Sequence, residues 1–264
     1  MSASVSMRPV ALVTGASRGI GKGCAIALAG SGFNILPNDR GGEEDRELLE
    51  RLTEELGAIG ADSLPFAADI SDLESHDAMV RAAVERWGRL DCLVNNAGIG
   101  VLQRGDLLDV SPESFDRCIR VNTRAVFFLS QVVARHLLAQ GEIGKQHRSI
   151  INITSSNAVA VSISRGEYCV SKCASSMTTR LFGLRLADAG IGVYEIRPGI
   201  IETGMTLPVK AHYDSLIADA LVPMRRWGYP ADVASTVSLM AEGRLPYTVG
   251  QAVAIDGGLT IPRF

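Results

Sequence analysis

Tyr168 and Lys172 stand four residues apart in the run Tyr168-Cys169-Val170-Ser171-Lys172. In a helix, residues at that spacing share a face, so the phenol and the ammonium can reach one cavity. A free tyrosine has a pKa of about 10, too high for a useful base near neutral pH. A lysine cation held beside it favours the phenolate and lowers that value, which fits a tyrosine for acid–base work. The same spacing occurs by chance on many surface helices, so it takes its meaning from its surroundings. Ser155 lies thirteen residues upstream, and a glycine-rich turn, Thr14-Gly15-Ala16-Ser17-Arg18-Gly19-Ile20-Gly21, opens the chain. Ser156 is the alternative to Ser155 as a hydroxyl aimed at a carbonyl.

The elements that must hold these groups follow from periodicity. Val10-Ala11-Leu12-Val13 is an apolar run that stops at the glycine turn, as a strand buried on both faces does. From Gly21 the pattern turns helical, with Cys24, Ala25, Leu28 and Ala29 on one face, and Phe33 to Pro37 reads as a second strand. Such a unit demands a parallel, right-handed crossover. The helix start offers free N–H groups and a favourable dipole to an anion, and glycine lets the backbone approach a pyrophosphate. Glu43 to Leu56 predicts a charged helix, Phe66 to Ile70 a third strand, and His76 to Trp87 an amphipathic helix. Leu90 to Val94 is an apolar strand ending in Asn95-Asn96-Ala97-Gly98. Ser111 caps a long helix with Pro112 in its first turn, running through Asn122 to Leu129. Gly141 to Arg148 reads as a polar loop, Ser149 to Thr154 as a fifth strand, Tyr168 to Leu186 as a helix, and Gly192 to Ile196 as a sixth strand. Asp232 starts a further helix, and Val249 to Gly258 gives a last strand and turn.

Composition narrows the class. A chain of 264 residues with 47% hydrophobic and 21% charged residues suits one large α/β domain. The net charge of −3, with no long basic patch, argues against nucleic acid. Met1 to Arg8 is polar and lacks the apolar core of a signal peptide, and no apolar run is long enough to span a membrane. The five cysteines lack metal-ligand or disulfide-framework spacing, which points to reduced thiols in a cytoplasmic protein. No metal is expected. Cys169 and Cys173 flank the Tyr168–Lys172 pair, where small packing residues are commoner than redox switches.

The spacing Gly15-x-x-x-Gly19-x-Gly21 within TGASRGIG resembles the short-chain dehydrogenase/reductase family. The likeness runs over residues 8 to 260, through the NNAG tetrapeptide, Ser155, Tyr168, Lys172 and the Pro198-Gly199 segment with Thr203. It is similar in layout to 3-oxoacyl-[acyl-carrier-protein] reductase-like members. The resemblance implies a single-domain Rossmann fold over residues 1–264, a doubly wound parallel sheet of about seven strands with helices on both faces. It also implies a substrate lid around residues 204–226. The implied activity moves a hydride between a nicotinamide and a carbonyl or secondary alcohol carbon. Tyr168 would act as acid–base, Lys172 would tune it and hold the ribose hydroxyls, and Ser155 would stabilise the oxyanion. Asn122 would kink its helix and hold a water of the proton relay, unless it merely bonds a neighbouring backbone. Asn95 would stabilise the sheet.

The same resemblance assigns the cofactor contacts. Gly15, Ser17, Arg18, Gly19, Ile20 and Gly21 belong to the pyrophosphate turn, and Asp39 and Arg40 to the adenosine ribose. Asp69 and Ile70 belong to the adenine, with a helix cap as the plain alternative for Asp69. Asn96, Ala97 and Gly98 line the approach of the ribose, and Pro198, Gly199, Ile201 and Thr203 cover the nicotinamide. Asp39 favours NAD over NADP, because a carboxylate binds the ribose hydroxyls and repels a 2′-phosphate. Arg18 and Arg40 are the groups that could pair with that phosphate. The substrate is a small molecule, either a 3-oxoacyl thioester or a polar alcohol such as a sugar or hydroxy acid. Lys145, His147 and Arg148 are candidates for docking a carrier protein; Asn157, Arg165, Glu167, Lys210, His212, Arg225 and Arg226 lie about the mouth. A homotetramer or homodimer on the helices Phe115 to Ala139 and Tyr168 to Leu186 is implied. The rival reading is a nucleotide-binding regulator that has lost catalysis; such proteins typically lack the serine, tyrosine or lysine, and this chain has all three.

Overall fold

The computed structural model describes residues 7–263, so most of the polar stretch Met1 to Arg8 lies outside the described residues. Seven parallel strands form one sheet: β1 (Val10–Thr14), β2 (Asn34–Asp39), β3 (Phe66–Ala67), β4 (Cys92–Asn95), β5 (Arg148–Ile153), β6 (Ile191–Pro198) and β7 (Ala252–Ile255). Their spatial order is β3-β2-β1-β4-β5-β6-β7, so the chain leaves the centre in one direction and returns to build the other half. The connecting helices are α1 (Gly19–Gly30), α2 (Glu43–Ala58), α3 (Glu74–Trp87), α4 (Pro112–Ile119), α5 (Val126–Gln140), α6 (Gly166–Leu186), α7 (Lys210–Ala218) and α8 (Pro230–Ala241).

Side-chain alternation divides the core. In β1, Ala11 and Val13 face a cluster with Leu28 of α1 and Val233 and Val237 of α8. Val10 and Leu12 face the opposite cluster, with Met79 of α3, Leu129 and Val133 of α5 and Leu186 of α6. A strand with both faces covered must be apolar throughout, and all five residues of β1 are buried. A small third cluster of Tyr213, Ile217, Val222 and Trp227 folds the segment around α7 onto itself. Between strands and helices runs a buried polar chain, Asn95 Nδ2 to Ser130 Oγ (2.9 Å) and Asn152 Oδ1 (2.8 Å), then Asn152 Nδ2 to Thr179 Oγ1 (2.9 Å). It pins β4 and β5 to α5 and α6, the elements that carry the site.

Three local expectations change. The third strand is only Phe66–Ala67, because Asn38 Nδ2 takes the carbonyls of Phe66 and Ala68 and the chain then turns at Asp69. Arg148 is not in a loop but opens β5 and is buried, its guanidinium donating to the carbonyls of Leu137 (2.8 Å) and Ala189 (2.8 Å). The last long helix starts at Pro230, with Asp232 accepting the Tyr229 N–H at 2.7 Å as part of a capping box. Among the described residues no helix is long and apolar enough to cross a membrane.

Candidate active site

In a doubly wound sheet the loops at the strands' carboxyl ends meet where the order reverses, here between β1 and β4. The turn after β1 is laced to the segment after β4. Thr14 Oγ1 accepts the N–H groups of Asn96 (3.0 Å) and Ala97 (3.1 Å), and Asn96 Nδ2 donates to the carbonyls of Thr14 (2.8 Å) and Gly15 (3.0 Å). Gly15 has a φ of +63°, and a Cβ on Gly21 would stand 2.0 Å from the Gly15 carbonyl oxygen. Glycine is therefore obligatory at Gly21 for the turn to close.

This turn delivers α1 with an open N-terminus. The residue before it, Arg18, makes no side-chain cap, and the first turn of α1 has no acidic residue. Such an end presents unpaired N–H groups and positive dipole to an anion, which fits a dinucleotide pyrophosphate. Thr203 closes over the turn, its Cγ2 lying 3.4 Å from where a Gly19 Cβ would stand. Gly199 packs against Asp256 and donates its N–H to the Ile255 carbonyl at 2.9 Å, while Ile201 bridges to Gly228.

Beyond the glycine turn, Asp39 ends β2 and accepts the Ser17 hydroxyl at 2.6 Å and the Arg40 N–H at 2.8 Å. Arg18 hydrogen-bonds and pairs with Asp45, and lies 3.4 Å from Glu44. Arg40 Nε lies 3.8 Å from the other oxygen of Asp45. The sequence leaves both arginines open to a phosphate; folded, both are turned onto the acids at the start of α2. Asp69 accepts the Ser71 N–H at 2.8 Å, the local cap, and Ile70 is buried beside it.

The other end of the cleft is built on β5, α6 and the middle of the α4–α5 rod. Between α4 and α5 the helix widens into a π-helical stretch, Arg120–Ala125, and buried Asn122 sits within it. Its side chain accepts the Ile99 N–H (2.8 Å) and donates to the Ile99 carbonyl (3.0 Å) and Ser171 Oγ (3.0 Å). Its own carbonyl accepts from Ser175 Oγ. Lys172 Nζ donates to the Ile153 carbonyl at 3.2 Å, and a Cβ on Gly98 would meet both Lys172 Nζ and Asn122 Oδ1 at 3.2 Å. Asn122, Lys172 and Gly98 thus converge on one spot. Lys172 Nζ is 5.8 Å from the centre of the Tyr168 ring, and the Ser155 hydroxyl hydrogen-bonds the phenol.

Electrostatics at this end differ from the sequence expectation. Burial pushes the Tyr168 phenol up; the Ser155 hydrogen bond and then the Arg165 cation oppose that push without cancelling it. Burial pulls Lys172 down to about 8, with Cys118 and Glu195 acting the other way. Helix spacing foretold proximity of the cation but not the depth at which both groups sit.

Of the charged residues about the mouth, few face inward. Lys210 pairs with Asp214 at 2.9 Å and Arg226 with Asp232 at 2.7 Å. Glu167 is buried against Ser114 Oγ at 2.7 Å, and Asn157 Nδ2 donates to the Ala160 carbonyl at 2.9 Å. Arg165 alone among them lies over the Tyr168 ring. The carrier-docking expectation fails for two of its three residues, since Arg148 is buried and His147 packs on Tyr194. Both flank the amino end of β5, opposite the carboxyl ends where the site lies. Two contributors escaped the sequence reading. Asp45 hid in an ordinary acidic first turn of α2, and buried Glu195 on β6 accepts from Thr154 (2.6 Å), Ser176 (2.8 Å) and Arg197 (2.7 Å) behind Lys172.

Comparison with known proteins agrees with this geometry. Residues 15–260 match a family model described as enoyl-(acyl carrier protein) reductase. The chain is 37% identical over 251 residues to the 2-dehydro-3-deoxy-D-gluconate 5-dehydrogenase of Dickeya dadantii, covering 94% of each. It superposes with a TM-score of 0.92 on the 3-oxoacyl-[acyl-carrier protein] reductase of Brucella melitensis in complex with NAD, at 43% identity over 98% of this chain and 99% of that one. A putative 2-deoxy-d-gluconate 3-dehydrogenase from Agrobacterium tumefaciens with bound NADP gives 0.84 at 29% identity, covering 97% and 98%. Glycine turn, NNAG segment and Ser155–Tyr168–Lys172 cleft therefore sit in a chain that belongs to the short-chain dehydrogenase/reductase family, an NAD(P)-dependent oxidoreductase of carbonyls and secondary alcohols.

Proposed function

We propose that Tyr168 is the acid–base residue of this oxidoreductase and that NAD is its preferred cofactor. The convergence of Tyr168, Ser155, Lys172 and Asn122 at the carboxyl end of β5 supports the first part. When bound, the nicotinamide supplies the acceptor or donor of the hydride. In oxidation the carbinol proton passes to the Tyr168 phenolate; in reduction the phenol returns it to the developing alkoxide. Ser155 hydrogen-bonds the substrate oxygen and steadies its charge. Lys172 holds the ribose hydroxyls and, with its charge, favours the phenolate; Asn122 extends the proton path beyond it. Gly15, Ser17, Gly19, Ile20 and Gly21 hold the pyrophosphate, Asp69 and Ile70 the adenine, Asn96, Ala97 and Gly98 the ribose, and Pro198, Gly199, Ile201 and Thr203 the carboxamide end.

Preference for NAD rests on Asp39 and on the capture of Arg18 and Arg40 by Asp45. Residues 204–226, with α7, act as the lid. The substrate is a small polar alcohol or ketone, of the kind named for the gluconate dehydrogenase relative, or a 3-oxoacyl thioester as for the Brucella reductase. Val170, Met177, Leu181 and Leu184 leave an apolar stripe exposed along α6, which a second copy covers in a dimer or tetramer. Five free thiols suit the cytoplasm.

Tyr168→Phe keeps the ring and removes the proton. Steady-state assays of the variant on a panel of alcohols and ketones with both nicotinamides should show turnover lower by roughly 10²–10⁴-fold with cofactor affinity retained. Wild-type turnover in that variant would sink the mechanism.

A further inference from the structure

Arg165 and Arg104, brought together by one backbone bond beside Tyr168, are left without an acid among the described residues. Arg165 precedes α6, is half-buried, and its guanidinium carbon lies 5.6 Å from the centre of the Tyr168 ring. Its Nε donates to Ser162 Oγ at 3.2 Å, which leaves the terminal fork uncommitted. Arg104 belongs to the loop after β4, and the next residue, Gly105, donates its N–H to the Ser164 carbonyl at 3.3 Å. That bond lays the backbone at Arg104 beside the backbone at Arg165. Arg104 reaches the lid, with Nη2 at 3.4 Å from Tyr213 Oη. Among the described residues neither arginine forms an ion pair. The carboxylate nearest in sequence to Arg165, Glu167, turns away to Ser114, and the one nearest to Arg104, Asp106, accepts the Leu108 N–H at 2.9 Å.

The contrast with four basic groups nearer the ends of the cleft is informative, although other arginines, Arg225 among them, also form no ion pair among the described residues. Lys210, Arg226, Arg18 and Arg40 are each matched to an acid of the chain. A half-buried guanidinium over the Tyr168 ring with no acid paired to it among the described residues can receive an anion, and its planar fork suits a carboxylate. A role confined to tuning Tyr168 would explain Arg165 but not Arg104, which touches the lid instead. We propose that Arg165, with Arg104 at the rim, binds a carboxylate carried by the substrate, so that the site selects hydroxy and keto acids. The carboxylate lies a few bonds from the reacting carbon and is unchanged by the reaction. This rests on Tyr168 as the acid–base residue.

The experiment compares matched pairs, each a hydroxy acid and its neutral amide, from 2-hydroxy to 5-hydroxy chains and including gluconate with gluconamide. A 3-oxobutyryl thioester serves as the neutral keto reference. The best acid should exceed its amide in kcat/KM by about 100-fold, the scale of a charge-assisted hydrogen-bonded pair. In Arg165→Met that ratio should fall to near one, mainly through KM, and Arg165→Lys should restore part of it. Arg104→Met should lower the ratio less. Calorimetry on the NAD-loaded protein should show the same loss in affinity for the acid. Amides or the thioester used as well as the acids would overturn the proposal. So would an Arg165→Met variant that lowers acid and amide alike while displacing the pH profile, the mark of a tyrosine-tuning role. Neither result touches the reading of Tyr168 as the acid–base residue, which falls only if Tyr168→Phe keeps wild-type turnover.

Discussion

The two ends of the cofactor cleft handle charge in opposite ways. At the adenosine end, Asp39 is held by Ser17 and the Arg40 N–H, and Arg18 and Arg40 are drawn onto Asp45. Its charges are balanced by groups that the first β-α-β unit and α2 bring beside them, in part from 22 to 27 residues away. At the reacting end Lys172 is buried with one neutral carbonyl as partner, the Tyr168 phenol is pushed up, and Arg165 has no acid. A pocket whose charges are balanced in this way costs the fold little. An unbalanced one stores unfavourable burial of charge in the folded state, ready for relief by what binds there.

Lys172→Met puts the largest strain on that contrast. Turnover should fall roughly 10²–10⁴-fold, because both a cofactor contact and a cation near Tyr168 vanish. Stability should move the other way. The folded pKa of about 8 against an ordinary 10.5 means that the unfolded chain holds the proton more tightly. The ammonium therefore costs stability below about pH 8, at most about 3 kcal/mol, and the cost fades as pH rises toward 10.5. Replacing it loses the bond to Ile153 but should still raise Tm by a few degrees at pH 7. The gain should disappear near pH 10.5, which calorimetry across pH would record. A Tm that drops at every pH would mean that this end is balanced too.

Gly21→Ala probes the other end through backbone rather than charge. Its Cβ would lie 2.0 Å from the Gly15 carbonyl and 2.5 Å from Asn96 Nδ2, so the turn must open. Overpacking of this kind costs about 1–3 kcal/mol. The displaced helix N-terminus should weaken NAD binding by about 100-fold, measured by fluorescence titration, with kcat at saturation reduced far less. Unchanged NAD affinity would separate this turn from the cofactor.

How much of this was legible depended on distance along the chain. The glycine turn, NNAG and the Tyr168–Lys172 pair are local patterns, and each appears folded where its spacing put it. The β-α alternation gave seven parallel strands because apolar runs such as Val10–Val13 and Ser149–Ile153 have no other way to bury both faces. Arg148 misled because a charged residue at the edge of a polar stretch looks like loop. Only the carbonyls of Leu137 and Ala189, remote in sequence, make its burial tolerable. The partners of the mouth residues were invisible for the same reason. Nothing in the run around Arg18 reveals that Asp45, in the next helix, will claim its guanidinium, or that nothing will claim that of Arg165. Asn122 stood out as a polar residue in a long helix, where the family resemblance implied a kink; the π-helical widening around it emerges only in the fold.

The smallest predicted effect tests whether balance at the adenosine end sets the choice of cofactor. Asp39→Ser removes the carboxylate that Ser17 and Arg40 now hold, and should weaken NAD binding about tenfold, the worth of one charge-assisted hydrogen bond. It should not by itself create strong NADP binding, because Arg18 remains on Asp45 and Glu44 and Arg40 beside Asp45. Adding Asp45→Ser frees both guanidinium groups, and they then suit a 2′-phosphate. The double variant should bind NADPH about tenfold more tightly than Asp39→Ser alone, with NADH little changed between the two. Equal gains in NADPH affinity from Asp39→Ser and from the double variant would show that Asp45 holds nothing back. In that case repulsion by Asp39 alone, and not the capture of the arginines, would decide between the two cofactors.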